Sequence, residues 1–92
     1  MSAPCTATAE VVVSNPQGMH LRPATEFARA ALASGCAVRV RCGDAEASGA
    51  SVLELAMMAA GPGATLVITA EGENCDAAVR ALVDLVRNDF KR

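Results

Sequence analysis

The chain has 92 residues and a formal net charge of −2 at pH 7, a size that suits one domain with a modest core. Hydrophobic residues make up 52% of it, but there are only two phenylalanines and no tryptophan or tyrosine, so alanine, valine and leucine must fill the core. Without a basic run, or aromatic side chains on which bases could stack, the composition excludes a nucleic-acid-binding module. We expect a single domain over residues 1–92.

The start of the chain lacks a basic segment followed by an apolar stretch, and no apolar run is long enough to cross a membrane. We therefore expect a cytosolic protein without membrane insertion. The cysteines, at positions 5, 36, 42 and 75, do not have the C-x-x-C spacing of metal or redox sites. Because no secretion signal accompanies them, we predict four buried or half-buried thiols rather than a disulfide framework.

The first half of the chain predicts a strand, a helix and a hairpin. Alternating β-branched residues favour a strand over residues 6–13, which a polar turn ends. Apolar residues at helical spacing predict a helix over residues 21–33, with Gly35 as its stop. Valines alternating with arginines predict a strand over residues 36–42, and a short strand over Ala45–Ser48 would complete the hairpin.

The second half predicts a helix over residues 51–60, a strand over 65–70 and a last helix over about 75–88. The order is therefore βαββαβα. Because each element has one apolar face to bury, we expect an α+β open-faced sandwich: a four-stranded, mostly antiparallel sheet with three helices on one face. A ferredoxin-like arrangement shares this order up to the last helix.

The only histidine, His20, lies between a turn at Gly18 and the start of the first predicted helix. The first amides of a helix are unpaired and carry partial positive charge, so a phosphate is favoured there. Pro23 suits the first helical turn, where its missing N–H is not needed, and Arg22 supplies a guanidinium for phosphate oxygens. The histidine is thus a candidate nucleophile. The alternative is that it merely caps the helix.

Residues 15–24, with the sequence NPQGMHLRPA, resemble the active-site signature of the histidine-containing phosphocarrier (HPr) family of the bacterial phosphotransferase system. The resemblance continues through residues 50–53 (ASVL) and 61–63 (GPG), and covers the chain from about Thr6 to Phe90. It implies an HPr-like sandwich in which a phosphoryl group is carried between enzymes.

By this resemblance, His20 accepts the phosphoryl group on its ring Nδ1 from the phosphohistidine of the system's first enzyme. The carrier then passes it to an A-type acceptor domain. Arg22 would assist, and Gly18 and Pro23 would shape the helix start. The resemblance implies no cofactor, no metal and no independent turnover of a small molecule, and we expect a monomer. With a single histidine, a metal site is not expected either.

The second predicted helix is apolar on more than one face, and a two-layer domain buries only one. We therefore expect Val52 and Leu53 to be exposed for docking of the donor and acceptor proteins. The alternative is that other elements cover them. Large Leu21 replaces the small residue usual beside the family's histidine, and Lys91 is the only lysine, so the choice of partners is left open.

Ser51 has two interpretations. With Glu54 it forms the sequence of a capping box, in which each side chain satisfies an amide at the helix start. It also aligns with the serine that a dedicated kinase phosphorylates in some HPr proteins. Ala50 replaces the basic residue common before that serine, and Glu54 replaces a usual glycine.

Two other functions stay open at this point. One is a regulatory HPr paralogue, nitrogen-related or serine-phosphorylated, that acts as a phosphorylation-dependent binding module. The other is a ferredoxin-like domain that binds a small ligand or transfers a metal, which would use Cys36 and Cys42.

Overall fold

The computed structural model describes residues 5–91. The predicted order βαββαβα is confirmed, and only the second helix differs from its predicted bounds by more than two residues. None of the helices in this part of the chain combines the length and apolar character needed to cross a bilayer. The elements are β1 (Cys5–Val12), α1 (Leu21–Ser34), β2 (Ala37–Cys42), β3 (Ala45–Ser48), α2 (Val52–Met57), β4 (Thr65–Gly72) and α3 (Cys75–Arg87).

The four strands form one sheet in the order β1-β4-β2-β3, and every neighbouring pair is antiparallel. In the central strand β4, alternate side chains at Leu66, Ile68 and Ala70 are buried, whereas the residues between them are half-buried or exposed. A period of two places these apolar side chains on one face, which the helices cover. The predicted open-faced sandwich is therefore confirmed.

Aliphatic side chains fill the core, as the composition predicts. Phe27 of α1 is fully buried, and Phe90, which follows α3, is buried as well. Gly35 ends α1 in the left-handed conformation, the usual end of a helix. The largest side chains with less than 2% exposure are those of Phe27, Leu55, Leu66, Ile68, Leu82, Val13, Val40, Val86 and Cys75.

Helix α2 is shorter than predicted because Ala59 takes a positive φ of 54°, which ends the helical path before Gly61. At the start of α2, only one of the two hydrogen bonds of the predicted capping box forms. The Ser51 hydroxyl accepts a hydrogen bond from the Glu54 amide at 3.2 Å. The Glu54 carboxylate, however, accepts from the Ser48 amide at 3.0 Å, since the Ser51 amide already donates to the Ser48 carbonyl. The prediction that the Glu54 side chain would bond to the Ser51 amide is therefore wrong.

The prediction of four thiols is wrong for two cysteines, because Cys5 and Cys75 are joined by a disulfide across 70 positions of sequence. Pairing of β1 with β4 places Cys5 opposite Gly72, just before α3 begins, so the two sulfur atoms meet. The spacing of the cysteines in the sequence could not predict this disulfide, because only the pairing of strands in the sheet brings Cys5 and Cys75 together. Cys36 and Cys42 are free and half-buried, as predicted.

Candidate functional site

His20 is the N-cap residue of α1. Its backbone is extended, with φ −120° and ψ −169°, and its ring makes no capping hydrogen bond to the helix. The first backbone bond of the helix runs from the Ala24 amide to the His20 carbonyl at 2.9 Å. The amides of Leu21 and Arg22 precede that bond and have no intrahelical acceptor, and Pro23 has no N–H. A half-buried imidazole therefore lies beside two free amides.

The turn before His20 is tightly closed. The Gly18 amide donates to the Asn15 carbonyl at 3.1 Å, and the Asn15 side chain returns a bond to the Gly18 carbonyl at 2.8 Å. Gly18 has φ +68°, and a Cβ there would lie 2.3 Å from the carbonyl oxygen of Ala60. Only glycine satisfies both constraints without a shift of the backbone. The neighbouring Met19 amide donates to the same Ala60 oxygen at 2.7 Å, so the loop after α2 holds the His20 turn.

An open depression of about 590 Å³ surrounds the imidazole. It brings the turn and the start of α1 together with the chain that follows α3. The predicted site residues His20, Arg22 and Pro23 share this depression, whereas Gly18 lies buried behind it. Its lining residues are Asn15, Pro16, Gln17, His20, Arg22, Pro23, Glu26, Asp89, Phe90 and Lys91.

Asn15 was not among the predicted site residues, although this residue is only 7% exposed and lines the depression. Its Oδ1 is buried and has no hydrogen-bond partner among residues 5–91. A buried acceptor without a donor carries a cost in free energy, so this atom is an exception to the usual pairing of buried polar groups. An Asn-Pro pair before a glycine indicated a turn, but not that the Asn15 side chain would close it by bonding to the Gly18 carbonyl. The terminal residues Asp89 to Lys91 were also missed, because they are far from His20 in sequence.

The predicted exposure of α2 holds for Leu53, which is 66% exposed, while Val52 is half-buried. Met57, one turn further along, is 74% exposed and was not predicted. Leu21, directly after the histidine, is 63% exposed. We call Leu21, Leu53 and Met57 the apolar patch. The Met19 amide bonds to Ala60 just beyond α2, so the loop that follows this helix lies beside the histidine turn.

Among residues 5–91, no three histidine, cysteine or acidic residues are grouped so that they could hold a metal ion. The two free thiols lie at opposite ends of β2, at Cys36 just before the strand and at Cys42 on its last residue. Six residue-to-residue steps of extended chain separate their Cα atoms by about 20 Å. A metal-transfer function through Cys36 and Cys42 therefore has no geometric basis.

The fold and this site together define an open-faced α+β sandwich that presents one histidine at the bare start of its first helix. The model of a protein family described as the phosphorylation site of the phosphotransferase system HPr component matches residues 7–88. The chain therefore belongs to the HPr family and is an HPr-type phosphocarrier of the phosphotransferase system.

Individual relatives agree with this assignment. The phosphocarrier protein HPr of Pseudomonas aeruginosa is 39% identical over 82 residues, which are 88% of this chain and 91% of that protein. The phosphocarrier protein NPr of Shewanella violacea is 36% identical over 81 residues, 88% of this chain and 89% of that protein. In three dimensions the chain is similar to HPr-C-His of Thermoanaerobacter tengcongensis, with a TM-score of 0.85 and 25% identity, covering 91% of this chain and 94% of that one.

Proposed function

We propose that His20 is the residue that carries the phosphoryl group, receiving it from the first enzyme of the phosphotransferase system and passing it to an A-type acceptor domain. The observation that carries this proposal is the position of the imidazole at the N-cap of α1, beside amides that the helix itself leaves unpaired. Family membership supports the carrier role in general, and the geometry supports this residue for it.

In the transfer step, the lone pair of the His20 Nδ1 forms a new N–P bond as the N–P bond of the donor's phosphohistidine breaks. The electron pair of the breaking bond stays on the donor's nitrogen. The charged oxygens of the phosphoryl group are then held by the Leu21 and Arg22 amides and by the Arg22 guanidinium. An exposed, shallow site suits a carrier, because the group must leave again for the next protein.

Mass spectrometry tests the proposal directly. Protein incubated with phosphoenolpyruvate and the cognate first enzyme should gain one phosphoryl group that is lost in acid, and His20→Ala should gain none. A folded His20→Ala protein, verified by circular dichroism, is needed as the control. Phosphorylation that persists in this variant, or that survives acid, would show that another residue carries the group.

Arg22 should contribute to rate without contributing to folding. Its side chain is exposed, and it pairs with no acidic side chain among residues 5–91. Arg22→Ala should slow phosphorylation roughly 10- to 100-fold, the range expected when a charge-assisted hydrogen bond to the transferred group is lost. Stopped-flow or quench-flow kinetics measure this rate, and Arg80→Ala, which alters an exposed arginine of α3 outside the depression, is the matched control. Equal rates for the two variants would mean that the Arg22 guanidinium is incidental.

We propose that the donor and acceptor proteins dock on the apolar patch. Its three side chains are apolar and exposed, Leu21 directly follows His20, and α1 packs against α2. A partner that buries them would bring its own phosphorylated residue towards His20. Association through apolar surface depends only weakly on ionic strength, unlike association steered by charge. The partners' contact surfaces should therefore be largely apolar opposite Leu53 and Met57.

Leu53→Asp should weaken donor binding roughly tenfold or more, since it buries a charge at the centre of the contact. Titration calorimetry at low and high salt measures the affinity. Leu32→Asp is the matched control, because Leu32 is 67% exposed but lies at the far end of α1, about 18 Å from the N-cap. The docking proposal fails if both leucine variants weaken binding alike.

A second candidate function is regulation, in which the phosphorylation state changes affinity for a regulator. The identity to NPr is close to the identity to HPr, so similarity favours both roles. Ser51 is the proposed regulatory phosphosite of this alternative. Its hydroxyl caps α2, and a phosphate there would stand near the Glu54 carboxylate. Incubation with ATP and a serine kinase of the HPr type, with Ser51→Ala as control, tests it.

A further inference from the structure

The chain's only lysine lies at the rim of the histidine site, although 71 positions separate Lys91 from His20 in sequence. We propose that Lys91 is a second phosphoryl-binding cation, whose ammonium group donates to an oxygen of the phosphoryl group on His20. This inference rests on the proposed function of His20, and it deepens that function by naming a residue that no part of the HPr signature contains.

The backbone around Lys91 is held in place by the end of α3. The Phe90 amide donates to the Leu85 carbonyl at 2.7 Å and the Asp89 amide to the Val86 carbonyl at 3.1 Å. These are the two bonds of a Schellman motif, here with Asp89 in the left-handed conformation. The Phe90 side chain is buried, and the Lys91 amide bonds to the Asn88 carbonyl at 3.1 Å. The Lys91 side chain therefore extends from a turn whose backbone is fixed by hydrogen bonds.

The same turn is tied to the histidine loop. The Ser14 hydroxyl donates to the Asp89 carboxylate at 3.0 Å, and Ser14 directly precedes the Asn15 turn that positions His20. This bond joins chain segments 75 positions apart. The segment before His20 and the turn after α3 are therefore joined to each other, and Lys91 lines the same depression as the start of α1.

The charges in the depression are arranged to leave two cations free for an anion. Its two acidic residues are both engaged: Asp89 accepts from Ser14, and Glu26 lies 3.6 Å from Arg29. Arg22 and Lys91, in contrast, have no acidic side chain within 4.0 Å among the residues that the structure describes. Since the chain as a whole is negative, this local excess of positive charge favours an anionic ligand at His20.

Phosphorus NMR of the isolated phosphoprotein tests the proposal without interference from a partner. The last proton of a bound phosphoryl group is lost near neutral pH, and a nearby cation favours the dianion. Lys91→Gln should therefore raise the pKa of the phosphoryl group, and Lys91→Arg should restore it. Phosphorylation by the first enzyme should also slow about two- to fivefold in Lys91→Gln, the effect of losing one exposed charge pair.

Arg87→Gln is the matched control. It removes the same charge from an exposed cation at the last residue of α3, outside the depression. If Lys91→Gln and Arg87→Gln give the same pKa and the same rate, the Lys91 proposal is overturned while the proposed function stands. If the wild-type protein takes up no acid-labile phosphoryl group at all, the proposed function fails and the Lys91 proposal falls with it.

Discussion

Gly18→Ala should lower the free energy of unfolding by roughly 2 to 5 kcal/mol and impair phosphorylation of a histidine two residues away. A left-handed alanine costs about 1 to 2 kcal/mol, and an overpacked side chain about 1 to 3 kcal/mol. Here the clash is with backbone, because the new Cβ would lie 2.3 Å from the Ala60 oxygen and 2.8 Å from Gly61 Cα. Relief requires that the two loops separate, which would break the bond from the Met19 amide to Ala60.

The variant Gly43→Ala is the control that separates the cost of the left-handed backbone from the cost of the steric clash. Gly43 also has a positive φ, of 60°, but a Cβ there meets nothing within 4 Å. Gly43→Ala should therefore lose only the conformational part, about 1 to 2 kcal/mol, and keep full phosphorylation. Urea unfolding measures both variants. If both variants lose the same free energy of unfolding, the close approach of the Gly18 turn to the loop after α2 does not contribute to stability.

Reduction of the Cys5–Cys75 disulfide should lower the free energy of unfolding by about 4 kcal/mol, as expected when a closed loop of this length is opened. That is a large part of the total for a domain of this size. Urea titration with and without reductant measures the difference. Cys75, the first residue of α3, is buried. The variant Cys5→Ser therefore removes the disulfide and leaves the buried Cys75 side chain in place.

Cys5→Ser should match the reduced wild type and should no longer respond to reductant. Cys42→Ser, which alters a half-buried free thiol, should still lose the same stability as the wild type when reductant is added. A reduced wild type that is as stable as the oxidised protein would contradict the stabilising role of the bond. The phosphorylation rate at His20 should change little in any of these variants, because the disulfide joins the starts of β1 and α3 and the histidine lies beyond the end of β1.

Local patterns predicted the fold well because each element depends on near neighbours. The alternation of valine with arginine in β2 and the apolar spacing of α1 are properties of short segments, and both elements formed within one residue of their predicted bounds. The second helix was the exception. Its apolar composition continued to Ala60, but Ala59 takes a positive φ in the loop that lies against the Gly18 turn.

The histidine, the arginine and the helix start could be predicted for the same reason: they are adjacent in sequence. What the sequence could not show was what the sheet and α3 bring to them from a distance. The disulfide depends on the pairing of β1 with β4, and the place of Lys91 depends on the way the turn after α3 folds back onto Ser14. The exposure of Met57 likewise depends on which face of α2 packs inward.

If His20 carries the phosphoryl group, the free amides at the start of α1 should bind the phosphoryl oxygens. A proton–nitrogen correlation spectrum, recorded before and after phosphorylation by the first enzyme, tests it most directly. We expect the largest downfield shifts for the Leu21 and Arg22 amide protons, because they become hydrogen-bond donors to the new anion. Large shifts elsewhere with these two amides unchanged would contradict it.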